Sequence, residues 1–293
     1  EGDNFRAEMA AAYGEPGDSA AEIILSGLHN GYFLRHFPMI ELLVRASKMT
    51  VVHEAPLAEK ISESLAGVEV RSVPMLVSKR ELGEEARKRI RADLGIRKEH
   101  CLIGSFGLLT PDKGIEPLLA AFARVRAQHP EAVLMLVGGV GDDLPLEKMI
   151  AEAGLEGDVI HTGRLPEEAF IEHMAACDLL VQLRWPTRRE TSAVIIEAMQ
   201  LGLPVITSDL VHLRDYPADA LVRVPVINEE KSLRNALLDM VQLPNLRRQI
   251  GRSGQAFIRE RHDEEALRCR WMELIQEAME LPQPGHDFLP AHL

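Results

Sequence analysis

The chain has 293 residues, enough for about two domains at roughly 100–200 residues each. Hydrophobic residues make up 46% and charged residues 27%, which excludes a disordered or collagen-like protein. The 33 basic and 45 acidic residues give a net charge of −12. That balance argues against a general nucleic-acid-binding protein, which needs a basic face. The sequence contains no apolar run long enough to predict a membrane-spanning helix.

The N-terminal part of the chain predicts mainly helices. They cover the segments FRAEMAAAY, which GEPGD is expected to end, AAEIILSGL, PMIELLVRAS and APLAEKISESL. Two short apolar runs predict strands at 49–53 and 68–73, too few for an independent sheet. The first residue is Glu1 rather than Met. We therefore expect residues 1–77 to be the remnant of an α/β domain whose earlier strands precede this sequence.

Strands and helices alternate between Leu102 and Leu210. The predicted strands are the apolar runs CLIGSFG, AVLMLVGG, VIHTG, DLLVQL and LPVITSD. Strands that are apolar throughout are typical of a parallel sheet covered by helices on both faces. The predicted fold class is therefore α/β, a Rossmann-like doubly wound parallel sheet. Ligands of such sheets bind at the carboxyl ends of the strands, near the point where the strand order reverses.

The loop GSFGLLTPDKG, residues 104–114, is the first candidate for a phosphate site. Gly107 allows a ligand to approach the backbone closely. Lys113 stands just before a predicted helix, whose first N–H groups and dipole favour an anion. A plain turn with a solvated lysine remains the alternative.

Two further loops have weaker signals. Gly139 lies in VGGVGDD, which lacks the third glycine of a dinucleotide-binding fingerprint, so a tight turn is the alternative reading. Arg164 and Leu165 follow a strand in HTGRLPEE and are placed on the ligand-facing edge. A solvent-exposed Arg164 is an equally good reading.

The loop RWPTRRE leads into the predicted helix SAVIIEAM. Thr191 or Ser192 is a natural N-cap for that helix. The arginines before it could add guanidinium groups to the helix end and form a diphosphate site; they are Arg184, Arg188 and Arg189.

Glu197 stands among apolar residues of the same helix. A carboxylate there is costly unless it is paired or reaches a cleft, where it could bind a sugar diol. A carboxylate on the solvent face is the alternative.

The three cysteines are far apart, so neither a disulfide framework nor a zinc site is predicted. Cys177 lies in the apolar segment AACDLLV and is predicted to be a buried thiol. Cysteines without a disulfide pattern favour a reducing, cytoplasmic compartment. Attachment at the inner face of a membrane is left open.

Taken in order, these segments resemble the retaining glycosyltransferases of the GT-B fold, in the group 1 class (glycosyltransferase family 4). The most specific match is ETSAVIIEAMQLGLPVITSD, which is similar to the family's donor-site helix, and FGLLTPDKGIEPLLAAFARV resembles its phosphate loop. The resemblance implies three parts. Residues 1–77 would be a remnant of the acceptor-binding domain. Residues 78–265 would form a nucleotide-sugar-binding Rossmann-like domain. Residues 266–293 would be a helix and tail that pack toward the N-terminal part.

The resemblance also implies roles for single residues. Lys113 and the amides around Thr191 and Ser192 would hold the donor diphosphate. Glu197 would bind the ribose, and the backbone near Arg164 and Leu165 would lie by the base. The donor-binding residues expected on this basis are Gly107, Lys113, Gly139, Arg164, Leu165, Arg189, Thr191, Ser192 and Glu197. No metal and no cofactor beyond the donor sugar nucleotide is expected.

The sequence departs from the family pattern at two positions. Where the family often has a glutamate separated by seven intervening residues from the one matched by Glu197, this chain has Arg189, and Glu190, with six between, is the nearest carboxylate. Leu108 stands where the family often has an arginine. We therefore expect Glu190, with Lys113, to be catalytic, and Arg188 or Arg189 to replace the missing diphosphate contact.

The predicted function is transfer of a sugar from a nucleotide-diphosphate sugar to an acceptor with retained configuration, this chain holding mainly the donor-binding part. A non-catalytic nucleotide-binding module of the same fold is the alternative. The expected partners are a nucleotide sugar and an acceptor that is a glycan, a lipid or a small molecule, with no nucleic acid. Apolar surface on an incomplete N-terminal part also predicts self-association. The base, the sugar and the acceptor are not identified by the sequence.

Overall fold

The computed structural model describes most of the chain, in ranges separated by short gaps; the residues described are 2–28, 33, 36–37, 39–78, 83–187 and 191–285. The chain forms two compact units, one from Glu1–Pro74 with Glu265–Leu293 and one from Met75–Glu264. The helices are α1 (Gly2–Leu25), α2 (Ile40–Ala46), α3 (Ala55–Ser64), α4 (Glu84–Asp93), α5 (Ile115–Arg126), α6 (Leu146–Glu152), α7 (Glu167–Ala176), α8 (Ala193–Gln200), α9 (Glu229–Gln242), α10 (Pro244–Arg261) and α11 (Glu264–Glu280). The strands are β1 (Thr50–Val52), β2 (Val70–Ser72), β3 (Cys101–Phe106), β4 (Ala132–Val137), β5 (Val159–His161), β6 (Leu179–Gln182), β7 (Val205–Ser208) and β8 (Val222–Val224).

Helix α1 consists of two helical stretches that meet at the segment GEPGD, which was expected to end the first. Gly14 takes a left-handed conformation with φ 65°, which breaks the helical path, and the helix resumes through Leu25. Pro16 lies just after the break, where the missing N–H of a proline costs little. The predicted end of the first helix at this segment is therefore confirmed at Gly14, while the next helical stretch begins within the segment rather than after it.

The two short N-terminal strands pair with each other. β1 and β2 run parallel, from Thr50 opposite Val70 to Val52 opposite Ser72. Helix α3 covers the pair, and Ile61 packs with Val70 in a small core. A second small core brings Leu267 and Leu274 of α11 against the segment that follows β2. The two strands thus form a minimal sheet that depends on helices for its burial.

The larger unit is built on a six-stranded parallel sheet, which confirms the predicted α/β fold class. Its strand order is β5-β4-β3-β6-β7-β8, and every neighbouring pair is parallel. In chain order within this unit the sequence of strands is 3-2-1-4-5-6, the order of a Rossmann sheet. The order reverses between β3 and β6, so the loops after these two strands flank the switch point.

Both faces of this sheet are buried. One core includes Leu118 and Phe122 of α5 with Leu237 of α9, and the other includes Ile171 of α7 with Ile196 of α8. All six residues of β3 are buried. This double coverage explains why the strands are apolar at every position rather than at alternate ones.

The sequence prediction left out the sixth strand and the helix after it. β8 is only Val-Arg-Val, three residues with a charged centre, so no apolar run marks it. Near the C-terminus the backbone leaves helical geometry at His262, between α10 and α11. Cys177 is fully buried, as predicted, and burial raises the pKa of its thiol.

Among the residues described, no helix combines the length and the apolar character that a crossing of the lipid bilayer requires.

Candidate functional site

The two loops at the switch point touch each other at the carboxyl edge of the sheet. The backbone N–H of Trp185, in the loop after β6, donates to the carbonyl of Asp112 in the loop after β3 at 2.8 Å. Gly114 has φ 61°, and a Cβ on it would lie 2.8 Å from Cβ of Leu183. Glycine therefore permits both the turn and the close approach of the two loops.

Lys113 lies between these two contacts. It ends a short 3₁₀ turn, Pro111–Lys113, in which its N–H donates to the carbonyl of Thr110 at 2.9 Å. Helix α5 begins two residues later at Ile115. Lys113, a half-buried residue, and the positive end of the helix dipole thus belong to one turn at the switch point. This arrangement is suited to an anion.

The loop after β6 ends at the N-terminus of α8. Ser192 occupies the N-cap position, as the sequence predicts, but its side chain makes no cap hydrogen bond. Ser192 and Thr191 are both half-buried. The first-turn N–H groups of such a helix are suited to a phosphate.

Glu197 lies further along α8 and is half-buried between fully buried neighbours, Ile196 and Ala198. It is neither a solvent-exposed carboxylate nor part of the apolar core. An ionised carboxylate has two acceptor oxygens, the number that recognition of a diol requires.

The loops after β3, β4 and β5 are joined by backbone hydrogen bonds. Leu109 N–H donates to the carbonyl of Gly139 at 2.8 Å, and Gly138 N–H donates to that of Gly163 at 3.0 Å. A Cβ on Gly138 would lie 1.9 Å from the carbonyl oxygen of Gly107. The glycines of this region therefore have an internal role in packing backbone against backbone, besides any contact with a ligand.

Arg164 and Leu165, which follow β5, differ in their exposure to solvent. Arg164 is exposed to solvent, and Leu165 is half-buried against the core under α7 and α8. The Arg164 side chain is therefore accessible at this edge of the sheet, whereas the Leu165 side chain packs against the core.

Polar residues that the sequence reading missed lie beneath the first turn of α8. They line a small pocket with room for about one water molecule, together with Ser192. Gln182, the last residue of β6, is 6% exposed, and its Nε2 has no hydrogen-bond partner among the described residues. His212 is buried in the same lining. A single polar residue ending the apolar run DLLVQL was the signal that could have found Gln182.

Ser208 and Glu229 were also missed. Ser208 Oγ donates to Glu229 Oε1 at 2.9 Å and accepts from the N–H of Arg184 at 3.0 Å. Burial raises the pKa of the Glu229 carboxyl, against the effect of the Ser208 hydrogen bond.

Three predicted site residues lie outside the described residues, namely Arg188, Arg189 and Glu190. Their predicted roles, a diphosphate contact and a catalytic carboxylate, stay predictions. Within the ranges that the structure describes, no group of three or more His, Cys, Asp or Glu side chains could hold a metal ion.

Comparison with known proteins identifies relatives of this chain. Residues 86–257 match the family model described as glycosyl transferases group 1. The protein YtcC of Bacillus subtilis is 28% identical over 210 residues, which cover 64% of this chain and 50% of YtcC. The GDP-mannose-dependent monoacylated alpha-(1-6)-phosphatidylinositol monomannoside mannosyltransferase of Corynebacterium glutamicum is 24% identical over 200 residues, covering 66% of this chain and 51% of that protein. The chain thus spans about half the length of these curated relatives.

The fold has solved counterparts as well. The structure of HepE of Anabaena in complex with UDP-glucose superimposes with a TM-score of 0.71 at 20% identity, covering 92% of this chain and 77% of HepE. At that identity the likeness establishes the fold alone.

Proposed function

The chain belongs to the group 1 glycosyltransferases, and we propose that its unit Met75–Glu264 binds a nucleotide-diphosphate sugar at the switch point of the six-stranded sheet. The main support is the contact between the β3 and β6 loops, through Gly114 with Leu183 and Asp112 with Trp185. Lys113 lies between these contacts, and the loop after β6 leads directly into the N-terminus of α8. Two anion-binding elements therefore belong to one edge of the sheet.

The charges of the donor match this arrangement. Lys113 and the first-turn amides around Thr191 and Ser192 would hold the diphosphate, Glu197 the ribose hydroxyls, and the backbone of Arg164 and Leu165 the base. As the bond between the sugar and the phosphate breaks, negative charge grows on the leaving diphosphate. Fixed donors aimed at that charge stabilise the transition state.

We propose that the whole protein transfers the sugar with retained configuration and without a metal ion. The positive charge of Lys113 and the helix ends take the place that a divalent cation would have on the diphosphate. Glu190 is proposed to act at the donor sugar. The acceptor is proposed only as a class, a glycan, a lipid or a small molecule, since the chain spans about half the length of its curated relatives.

The first test is calorimetric titration with UDP, GDP and ADP and with the matching nucleosides. Lys113→Ala should weaken diphosphate binding about ten- to a hundredfold, the size of one charge-assisted hydrogen bond, and leave nucleoside binding nearly unchanged. Lys148→Ala is the matched control, because Lys148 is an exposed lysine on α6. The donor-site proposal fails if no nucleotide binds below millimolar concentration. The role of Lys113 fails if both ligand types lose affinity equally.

A non-catalytic nucleotide-binding module stays the second candidate, because Arg189 stands where the resemblance places a glutamate. Release of sugar from a bound donor, measured with and without candidate acceptors, separates the two. Binding without any sugar release would favour the module.

A further inference from the structure

The start of the loop after β6 is held by side chains rather than by the sheet. The ladder between β6 and β7 ends with Gln182 opposite Thr207. At that last pair the hydroxyl of Thr207 donates to the carbonyl of Gln182 at 2.9 Å. One residue later along β7, the hydroxyl of Ser208 accepts the N–H of Arg184 at 3.0 Å. The last residue of β6 and the first part of the loop after it therefore each form a hydrogen bond with a hydroxyl group of β7.

The Ser208 hydroxyl is itself oriented by a carboxylate. Ser208 is completely buried, and its Oγ lies 2.9 Å from Oε1 of Glu229. A hydroxyl has one proton to donate and two lone pairs. When Glu229 accepts that proton, a lone pair of Ser208 is directed at the N–H of Arg184.

Glu229 is favourably placed for this task. It is the first residue of α9, where the helix dipole favours a carboxylate. It is half-buried, so its side chain has less freedom than a surface glutamate. Glu230, the next residue, is exposed and shares the same first turn.

We propose that Glu229 is a positioning residue for the donor site. Through Ser208 it fixes Arg184, and through Arg184 the start of the loop after β6, where Trp185 contacts Asp112 beside Lys113. This inference rests on the proposed function for its effect on nucleotide binding, while its effect on the loop is independent of any ligand.

Hydrogen exchange of the intact chain without ligand tests the effect on the loop. In Glu229→Ala the amides of residues 183–187 should exchange about tenfold faster, because local opening becomes easier when one buried hydrogen bond is lost. Glu229→Gln should keep the exchange of the native protein, since its amide oxygen can accept the Ser208 proton. Glu230→Ala is the matched control for loss of a first-turn carboxylate and should leave residues 183–187 unchanged.

Titration of the same variants with UDP, GDP and ADP tests the consequence for the site. Glu229→Ala should bind the diphosphate about three- to tenfold more weakly, and Glu229→Gln should restore the affinity. The inference is overturned if Glu229→Ala and Glu230→Ala behave alike in exchange, or if Glu229→Gln fails to rescue. Absence of nucleotide binding by the native chain would instead refute the proposed function, and exchange would still decide the role of Glu229.

Discussion

Gly114 and Gly154 have nearly the same backbone conformation in different surroundings. Their φ angles are 61° and 66°. A Cβ on Gly114 would lie 2.8 Å from Cβ of Leu183, whereas a Cβ on Gly154 would meet nothing within 4 Å. The pair therefore separates the cost of a left-handed residue from the cost of forcing two loops apart.

We expect Gly154→Ala to lower the free energy of unfolding by about 1–2 kcal/mol, the strain of an L-residue in this region. Gly114→Ala should cost about 1–3 kcal/mol more, because its methyl group overlaps Leu183. Urea denaturation of both variants measures the difference. Equal losses would show that the loop contact at Leu183 is not rigid.

Glu229 gives a prediction for pH dependence. Its pKa in the folded chain is raised above the ordinary glutamate value of 4.5, chiefly by burial. As pH rises past 4.5 the unfolded chain loses this proton first, so the unfolded state binds fewer protons than the folded state. Stability then falls with rising pH until the folded pKa is passed.

Glu229→Gln cannot ionise and removes this pH dependence. Compared with the native chain, its free energy of unfolding should therefore improve as pH rises above 4.5, until the raised pKa of the folded chain is passed and the difference becomes constant. Thermal or urea unfolding of both proteins across that range measures it. A difference that stays flat, or that shrinks with rising pH, would contradict the raised pKa.

Short-range sequence patterns identified the strand-to-helix turns of the candidate site better than its side-chain contacts. Lys113 and Ser192 were predicted because each stands at a strand-to-helix turn, which short-range patterns reveal. Ser208 and Glu229 were not found, because their partnership joins strand and helix segments 21 residues apart. Such a contact depends on the parallel order of β7 and β8, which no local pattern encodes.

At the scale of elements, Asp178 joins helix α4 to the sheet. Its carboxylate accepts from Arg87 at 2.7 Å, from Arg91 at 3.0 Å and from the backbone N–H of Leu102 at 2.8 Å. Arg91 is a buried residue whose guanidinium also donates to three carbonyl groups. The network fixes α4 beside the first residues of β3 and β6.

We expect Asp178→Ala to lower the free energy of unfolding by about 3–5 kcal/mol, because it leaves the buried charge of Arg91 without a carboxylate. The control is Glu172→Ala, which removes a salt bridge between Glu172 of α7 and Arg89 of α4. Arg89 is largely exposed, so this pair should contribute at most about 1 kcal/mol. Denaturant titration measures the loss in free energy of unfolding for both variants. Similar losses would mean that burial of the charged partner does not decide the strength of these interactions.

Element boundaries were predictable where helices and strands are long and apolar. The five strands between residues 101 and 208 were all found, because each is an apolar run bounded by small or polar residues. β8 and α9 were missed for a different reason. β8 gains its burial from β7 and from the covering helices rather than from its own composition, so tertiary packing decides its conformation.

At the scale of the whole molecule, the two units differ in how the chain builds them. Met75–Glu264 is one continuous segment with a six-stranded sheet and two buried faces. The other unit combines the two ends of the chain around a two-stranded sheet. The six-stranded sheet, buried on both faces, should contribute more to stability than the two-stranded sheet, since stabilisation grows with the apolar area removed from water.

The continuous segment 75–264 should therefore fold by itself. Expressed alone, it should show helical circular dichroism and one cooperative unfolding transition. If the donor site lies wholly within it, a nucleoside diphosphate at a concentration of 100 Kd should stabilise the fragment by about 2.7 kcal/mol, as it stabilises the full chain. Cooperative folding with a weaker stabilisation would mean that residues outside 75–264 contribute to binding. Failure to fold would mean that the sheet needs the other unit, because its two faces are then insufficient for independent stability.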